Sequence, residues 1–308
     1  MKVSVIIPSL YSPFIETVLE HLARQSAWND IGEILIVGKD LAGQELNDGK
    51  VRYIDTGVPV SASRARNIGI HQARYDLLYF LDSDCLPQPD CLEQHLLAHG
   101  AGHELVGGGV MARGENYWSL TYNLALFHEF ISGRAPGCRD YLPALNLSVT
   151  REIAIIVGEF NPQLKRGQDI DWTVRARQAG FQPWCWPAAT VQHQHSRSSF
   201  GAVWRDCANS GYFMRHIRLH NASALDSPWW LKMRWVIVLA SPLVALLVTA
   251  RIYTRHPGLL PRFGYLFPGV FMTKLAWCRG AGIGPIGLAQ TDLVPPRKKE
   301  LTVQLTRR

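Results

Sequence analysis

The chain is poor in the features that assign a protein quickly. Its 308 residues hold six cysteines, at 85, 91, 138, 185, 207 and 278, with no Cys-x-x-Cys pair. That excludes a regular disulfide framework and points to reduced, buried thiols in a cytosolic setting. No Gly-rich, Lys-containing phosphate loop stands near the start, and no internal repeat or low-complexity tract is found. The early apolar run, residues 3–7, is too short for a signal peptide and reads instead as a first strand. Acidic residues become scarce late in the chain. Residues 200–308 contain 15 Lys/Arg against 4 Asp/Glu, whereas residues 1–199 contain 17 against 21. A basic, apolar end on a mildly acidic body predicts contact with anionic lipid or an anionic acceptor. Nucleic acid is disfavoured, because the same segment is rich in Trp, Leu and Val.

What is present centres on residues 76–84, Asp-Leu-Leu-Tyr-Phe-Leu-Asp-Ser-Asp. An apolar run long enough for a buried strand ends in two carboxylates, Asp82 and Asp84. Open α/β sheets bind ligands at the carboxyl ends of their strands. Two acids there concentrate negative charge, which a hard divalent cation such as Mg²⁺ or Mn²⁺ relieves while it also binds phosphate. Upstream, residues 2–9 read as a strand broken by Pro8, and residues 15–25 have helical spacing. Residues 33–37 and 51–54 are further strands, and residues 61–70 open a helix. This alternation predicts βαβ units and a mostly parallel sheet.

The order of these elements resembles family 2 glycosyltransferases, which have the GT-A fold. The opening Val-Ser-Val-Ile-Ile-Pro at 3–8, Ala65-Arg66-Asn67-x-Gly69 and Asp82-Ser83-Asp84 carry the first half of the likeness. Asn146-Leu147-Ser148-Val149, Val157-Gly158-Glu159-Phe160, Gly167-Gln168-Asp169-Ile170-Asp171-Trp172, Arg175, Gly180 and the His193-Gln194-His195 stretch carry the second. The resemblance covers about residues 1–200. It implies a nucleotide-sugar-binding half over 1–110 and an acceptor-binding half over 111–200. It further implies an inverting, metal-dependent transfer of a sugar from a nucleotide diphosphate, with UDP favoured by analogy, to a hydroxyl. Donor contacts are implied at Pro8, Ser9, Asp40, Arg66, Asn67, Asp82 and Asp84. Metal ligands are implied at Asp84 and His193, for Mg²⁺ or Mn²⁺. Asp169 is implied as the general base. Arg66 and Asn67 are expected at a helix start, where free N–H groups and a guanidinium suit phosphate. Arg64 is a possible helper or a solvated side chain. The sequence departs from the pattern at Gln168, where the family has Glu, and at Gly38, where relatives often carry a base-reading Asp; Asp40 is the substitute. Asp171 is expected to pair with Arg175 as structural support. His193 and His195, if they extend a strand, project to one side.

Three segments stay open on residue grounds. Residues 116–131 carry Tyr117, Trp118, Tyr122, Phe127 and Phe130, which suit core packing or a sugar or lipid-linked acceptor. The Gly107–109 run suits a ligand's approach or a tight strand bend. Residues 201–294 form a helical, apolar and basic region expected to associate with the cytoplasmic face of a membrane. Within it, residues 235–250 are 16 uncharged residues including Pro242, borderline for a spanning helix, and residues 263–273 are a shorter apolar run. A pair of interfacial helices, a transmembrane hairpin and a buried subdomain are the alternatives. Residues 295–308 read as a basic, disordered tail. The rival functions are nucleotidyl transfer on a similar fold and a membrane-attached sugar-nucleotide-binding protein without turnover. A polysaccharide or glycolipid product is the expected context.

Overall fold

The computed structural model describes residues 1–39 and 49–287. Asp40 and the basic tail lie outside them. The chain begins with β1 (Val3–Leu10), α1 (Ile15–Ala23), β2 (Ile31–Lys39), β3 (Val51–Asp55), α2 (Ala62–Gln72) and β4 (Leu77–Leu81). These strands pair in parallel in the order β3-β2-β1-β4. Alternate side chains go to opposite faces of the sheet. Val5, Ile7, Ile34, Ile36 and Tyr79 pack against α1, whereas Ile6, Leu35, Val37, Leu78 and Phe80 pack under α2. Both faces are covered, which is why the strands are apolar throughout.

Pro8 does not break β1. The strand pairs with β2 from Val3 to Leu10, but its pairing with β4 stops at Ile6↔Phe80. A residue without an N–H is tolerated where a neighbouring strand has ended. Gly38 has φ +146°, and a Cβ there would lie 1.9 Å from the Ser9 carbonyl oxygen. The close approach of β1 and β2 therefore forbids the side chain that the resemblance expects at this position.

The second half is mixed rather than parallel. It comprises β5 (Cys85–Pro87), α3 (Cys91–Gly100), β6 (Leu105–Val110), α4 (Tyr117–Phe127), β7 (Gly137–Cys138), β8 (Asn146–Thr150), α5 (Arg151–Val157), α6 (Gln168–Gln178) and β9 (Trp184–His193). β8 runs antiparallel to β4 and β6, β6 is parallel to β9, and β5 and β7 are antiparallel to β9. The sheet is thus an α/β core of the GT-A kind with a parallel first half only. Asn146 locks its centre. The amide Nδ2 donates to the carbonyls of Gly109 and Ala189, while Oδ1 accepts from Tyr79 Oη at 2.9 Å and His95 Nε2 at 2.8 Å. The Gly107–109 run lies in β6 at the register shift against β9, so its close approach is to protein backbone.

The C-terminal region is helical: α7 (Phe200–His220), α8 (Arg234–Arg255), α9 (Leu259–Phe263) and α10 (Phe267–Gly282). A Cβ on Gly280 would stand 1.7 Å from the Ala208 carbonyl oxygen, so α7 and α10 cross at near-backbone contact. Gly269 N donates to Tyr117 Oη, which ties α10 to α4 as well. Phe263, Leu266, Val270 and Thr273 are buried, so the second apolar run packs on the protein along one side, while Tyr265 is exposed. The aromatic segment resolves as packing too, with Tyr122 and Leu124 in clusters with α7, α8 and α10. α8 differs. Ile237, Ala245, Thr249 and Ile252 face inward, whereas Trp235, Leu239, Leu243 and Leu247 on its other side are 59–75% exposed. Pro242 deprives Val238 of its helical donor, and the Ser241 hydroxyl supplies a replacement at 2.8 Å.

Candidate active site

The acidic turn at the end of β4 is held from three sides. Ser12 Oγ donates to the Ser83 carbonyl at 2.9 Å, Asp82 N donates to Leu145 O at 3.2 Å, and Gln194 N donates to Asp84 O at 2.7 Å. The end of β1, the segment before β8 and the exit of β9 therefore meet here. Asp82 accepts from Arg66 Nη2 at 2.5 Å. Burial raises the Asp82 carboxyl above its usual range against the pull of Arg66, and the charges of Asp84 and Asp169 push the same way as burial. At Asp84 burial also acts upward, but the His193 hydrogen bond and the charges of His193 and Arg197 outweigh it and leave the carboxyl below its ordinary value.

His193 is the second arm of this pair. Its Nδ1 faces Asn123 Oδ1 at 2.9 Å, and its Nε2 stands 3.5 Å from Asp84 Oδ2. An amide oxygen accepts, so Nδ1 donates to Asn123, and Nε2, whose proton toward Asp84 a bound cation would displace, is the nitrogen that could ligate. A carboxylate oxygen and an imidazole nitrogen at that spacing fit two ligands of one divalent ion. The local charge agrees: two carboxylates share one turn, and the neighbouring Asp169 carboxylate adds to the repulsion. The residues present fit Mg²⁺ or Mn²⁺, with Asp84 and His193 as the holders.

Asp169 occupies the first turn of α6, which starts after Gly167 in the left-handed region. Its Oδ2 accepts from Ala144 N at 3.3 Å and its Oδ1 from Ile170 N at 2.9 Å. Because Leu145, the next residue, accepts from Asp82, the base candidate and the acidic turn are braced on one stretch of backbone. Asp171 pairs with Arg175 at 3.1 Å, and Arg175 also donates to the carbonyls of Val157 and Glu159. Gln168 Oε1 is buried without a partner.

Two expected positions are corrected. α2 starts at Ala62, capped by Ser61 Oγ on Arg64 N, so Arg66 and Asn67 lie a turn inside the helix and not at its start. Asn67 spends its amide on Phe160, donating to its carbonyl and accepting from its N–H, both at 2.8 Å. It fixes the loop that leads to α6. Arg66 keeps Nε and Nη1 buried without partners beyond its bond to Asp82. Arg64 is exposed, and Ser9 is buried beside Gly38. His195 lies past the end of β9, with its Nδ1 accepting from Arg197 N. Arg197 is packed on Tyr122 and paired with Asp206 at 3.2 Å. Asp206 also accepts from Arg166 at 2.6 Å and from Tyr122 Oη at 2.7 Å.

Sequence reading missed Asn123 and Asp206. Each acts through a partner far along the chain, Asn123 on His193 and Asp206 on Arg166 and Tyr122. A cavity of about 300 Å³ opens beside His193, with Arg113, Gly114, Ser119, Asn123 and His195 on its wall. Asn116 shapes that wall, since its side chain caps α4 on Trp118 N and Ser119 N.

Comparison with known proteins agrees with this fold. Residues 4–140 match the family described as glycosyl transferase family 2. Glycosyltransferase AglE of Haloferax volcanii is 34% identical over 118 residues, 38% of this chain, and the chain spans 39% of that protein's length. Mannosyltransferase PcManGT from Pyrobaculum calidifontis, solved with GDP-Man and Mn²⁺, superimposes with a TM-score of 0.59 at 15% identity, over 92% of this chain and 86% of that one. GalNAc-T7, solved with UDP, GalNAc and Mn²⁺, gives 0.50 at 14% identity, over 63% and 43%. The fold is therefore GT-A, the architecture of a class of glycosyltransferases. Within that class, residues 4–140 are similar to glycosyl transferase family 2.

Proposed function

We propose that this protein is a glycosyltransferase that moves one sugar from a nucleoside diphosphate donor to an acceptor hydroxyl with inversion at the anomeric carbon. The observation that carries this reading is the acidic turn at the end of β4, where Asp84 faces His193 and Asp82 shares the Ala144–Leu145 backbone with Asp169. Asp169 would take the proton of the acceptor hydroxyl as its oxygen bonds to the anomeric carbon and the bond to the β-phosphate oxygen breaks. Asp84 and His193 would hold a divalent cation, which supplies charge stabilisation to the departing diphosphate. Arg66, with two unpartnered buried N–H groups, keeps Asp82 ionised and in place beside it. UDP is the nucleotide favoured by resemblance; the comparison structures hold UDP in one case and GDP-Man in the other.

The apolar side of α8 supports an interfacial position on the cytoplasmic leaflet, where nucleotide sugars are available. α8 is the one described helix long and apolar enough to cross a membrane, yet its inner side packs along α10. A helix bound to its own domain on one side and bare on the other suits a headgroup layer better than a crossing. A lipid-linked or polysaccharide acceptor is consistent with that position. The test is incubation with a panel of UDP- and GDP-sugars with and without Mn²⁺. Slow donor hydrolysis that needs the ion and vanishes in Asp84→Ala supports the reading. Tight donor binding without turnover overturns it, and release of pyrophosphate indicates nucleotidyl transfer.

A further inference from the structure

A second cluster of ligating side chains lies away from the acidic turn. His128 and Glu129 follow the last residue of α4, and His256 follows the last residue of α8. One ligand atom from each lies within 4.8 Å of the others. His128 Nδ1 and His256 Nε2 are both buried, and neither has a hydrogen-bond partner. The nearest acceptor to His128 Nδ1 is Glu129 Oε1, at 3.4 Å. Orphaned buried nitrogens cost free energy unless something fills the gap between them. Glu129 keeps Oε2 on Arg134 at 2.9 Å, which leaves Oε1 on the side of the histidine.

We propose that His128, Glu129 and His256 form a second metal site that takes a borderline transition-metal ion, Zn²⁺ above all, and staples the end of α8 to the end of α4. Two imidazole nitrogens and one carboxylate oxygen form a ligand set that zinc favours, with solvent completing the shell. Zinc ligands stand about 2.0–2.2 Å from the ion, so the three side chains must draw in by about 1 Å. Access exists. Glu129 and Arg134 line a cavity of about 610 Å³ that also touches Cys138, Arg139 and Arg177. The opposing factor is charge. Arg134 pairs with Glu129, Arg255 stands 3.8 Å from Oε1, and Lys274 is near enough to act on His128. Arg255 is half exposed and free to swing into solvent, whereas the other two weaken the site without blocking it.

The site stands independently of the proposed transfer reaction, and its test is built to keep them apart. The full chain carrying Asp84→Ala, which removes the first cation site, is stripped with chelator and dialysed against Zn²⁺ and, in parallel, Co²⁺. Bound metal is counted by mass spectrometry, and Co²⁺ is read by its visible d–d absorption. The expected result is one ion per chain, a raised thermal midpoint with zinc, and at least about tenfold weaker binding after adding His256→Gln. His128→Gln gives the same comparison should His256→Gln not fold. No retained zinc in the Asp84→Ala protein overturns the proposal, as does equal zinc in the protein with and without the histidine.

Discussion

Asn123 offers a direct test of the cation site proposed at Asp84 and His193. Its Oδ1 takes the Nδ1 proton of His193 at 2.9 Å, while its Nδ2 donates to Arg113 O at 2.7 Å and His193 O at 3.3 Å. The amide thus selects the tautomer that turns Nε2 toward Asp84 and also anchors the backbone beneath the ring. Asn123→Leu keeps the volume but removes the acceptor. Loss of such an outer partner weakens metal binding by about 10–100-fold, or about 1.4–2.8 kcal/mol. Asn123→Asp keeps an acceptor for Nδ1 but sets its second oxygen against the Arg113 and His193 carbonyls, so it should shift the midpoint as well. The assay is Mn²⁺ titration of donor hydrolysis at fixed donor, reading the midpoint of activation. A shift in Asn123→Leu with a normal plateau at high Mn²⁺ is the predicted result. An unmoved midpoint in Asn123→Leu, with His193→Ala strongly shifted, refutes the orienting role.

Asp206→Ala strips the shared carboxylate from Arg166 and Arg197, which are 35% and 31% exposed. The cost of leaving a buried charge unpaired, discounted for that exposure, is about 2–3 kcal/mol, read as a lower urea midpoint at unchanged slope. Acid should destabilise the fold before the carboxylates titrate. Burial lowers His95 to about 3 and His99 to about 4, so the unfolded chain binds protons that the folded one refuses. This contribution is complete above about pH 6.5 and is lost as pH falls toward about 3; His95 alone accounts for about 2 kcal/mol lost by pH 5. Urea unfolding at pH 7.5 and 5 measures it, and His95→Gln should flatten the difference. At the apolar side of α8, Leu239→Lys with Leu243→Lys should abolish co-flotation with vesicles containing anionic lipid while leaving the thermal midpoint within about 1 °C, since neither side chain packs on the protein.

The parallel half of the fold was legible because its signals are local. An apolar run ending in Asp82 and Asp84 announces a buried strand and its carboxyl edge, and Asp171 to Arg175 is a pair four residues apart on one helix. The errors arose where the deciding partner is remote. Arg66 and Asn67 looked like a helix start because their motif precedes a helical run, but the true cap, Ser61, stands five residues earlier. Asn123 gave no signal, since its partner His193 is 70 residues away. Residues 263–273 are apolar in sequence whether they face lipid or protein; the crossing at Gly280 and Ala208, which places α10 inside, cannot be read from hydropathy. The antiparallel β8 was hidden for a similar reason. Its pairing with β4 depends on long-range register, while its Asn-Leu-Ser-Val pattern suits either direction.

The central claim concerns the division of labour at the end of β4, and steady-state kinetics of Asp169→Asn test it most directly. With a donor that supports turnover and saturating Mn²⁺, donor affinity should stay within about twofold while turnover falls at least about a hundredfold, the scale of general-base loss. Retained turnover with weakened donor binding would place Asp169 on the donor side and contradict the account.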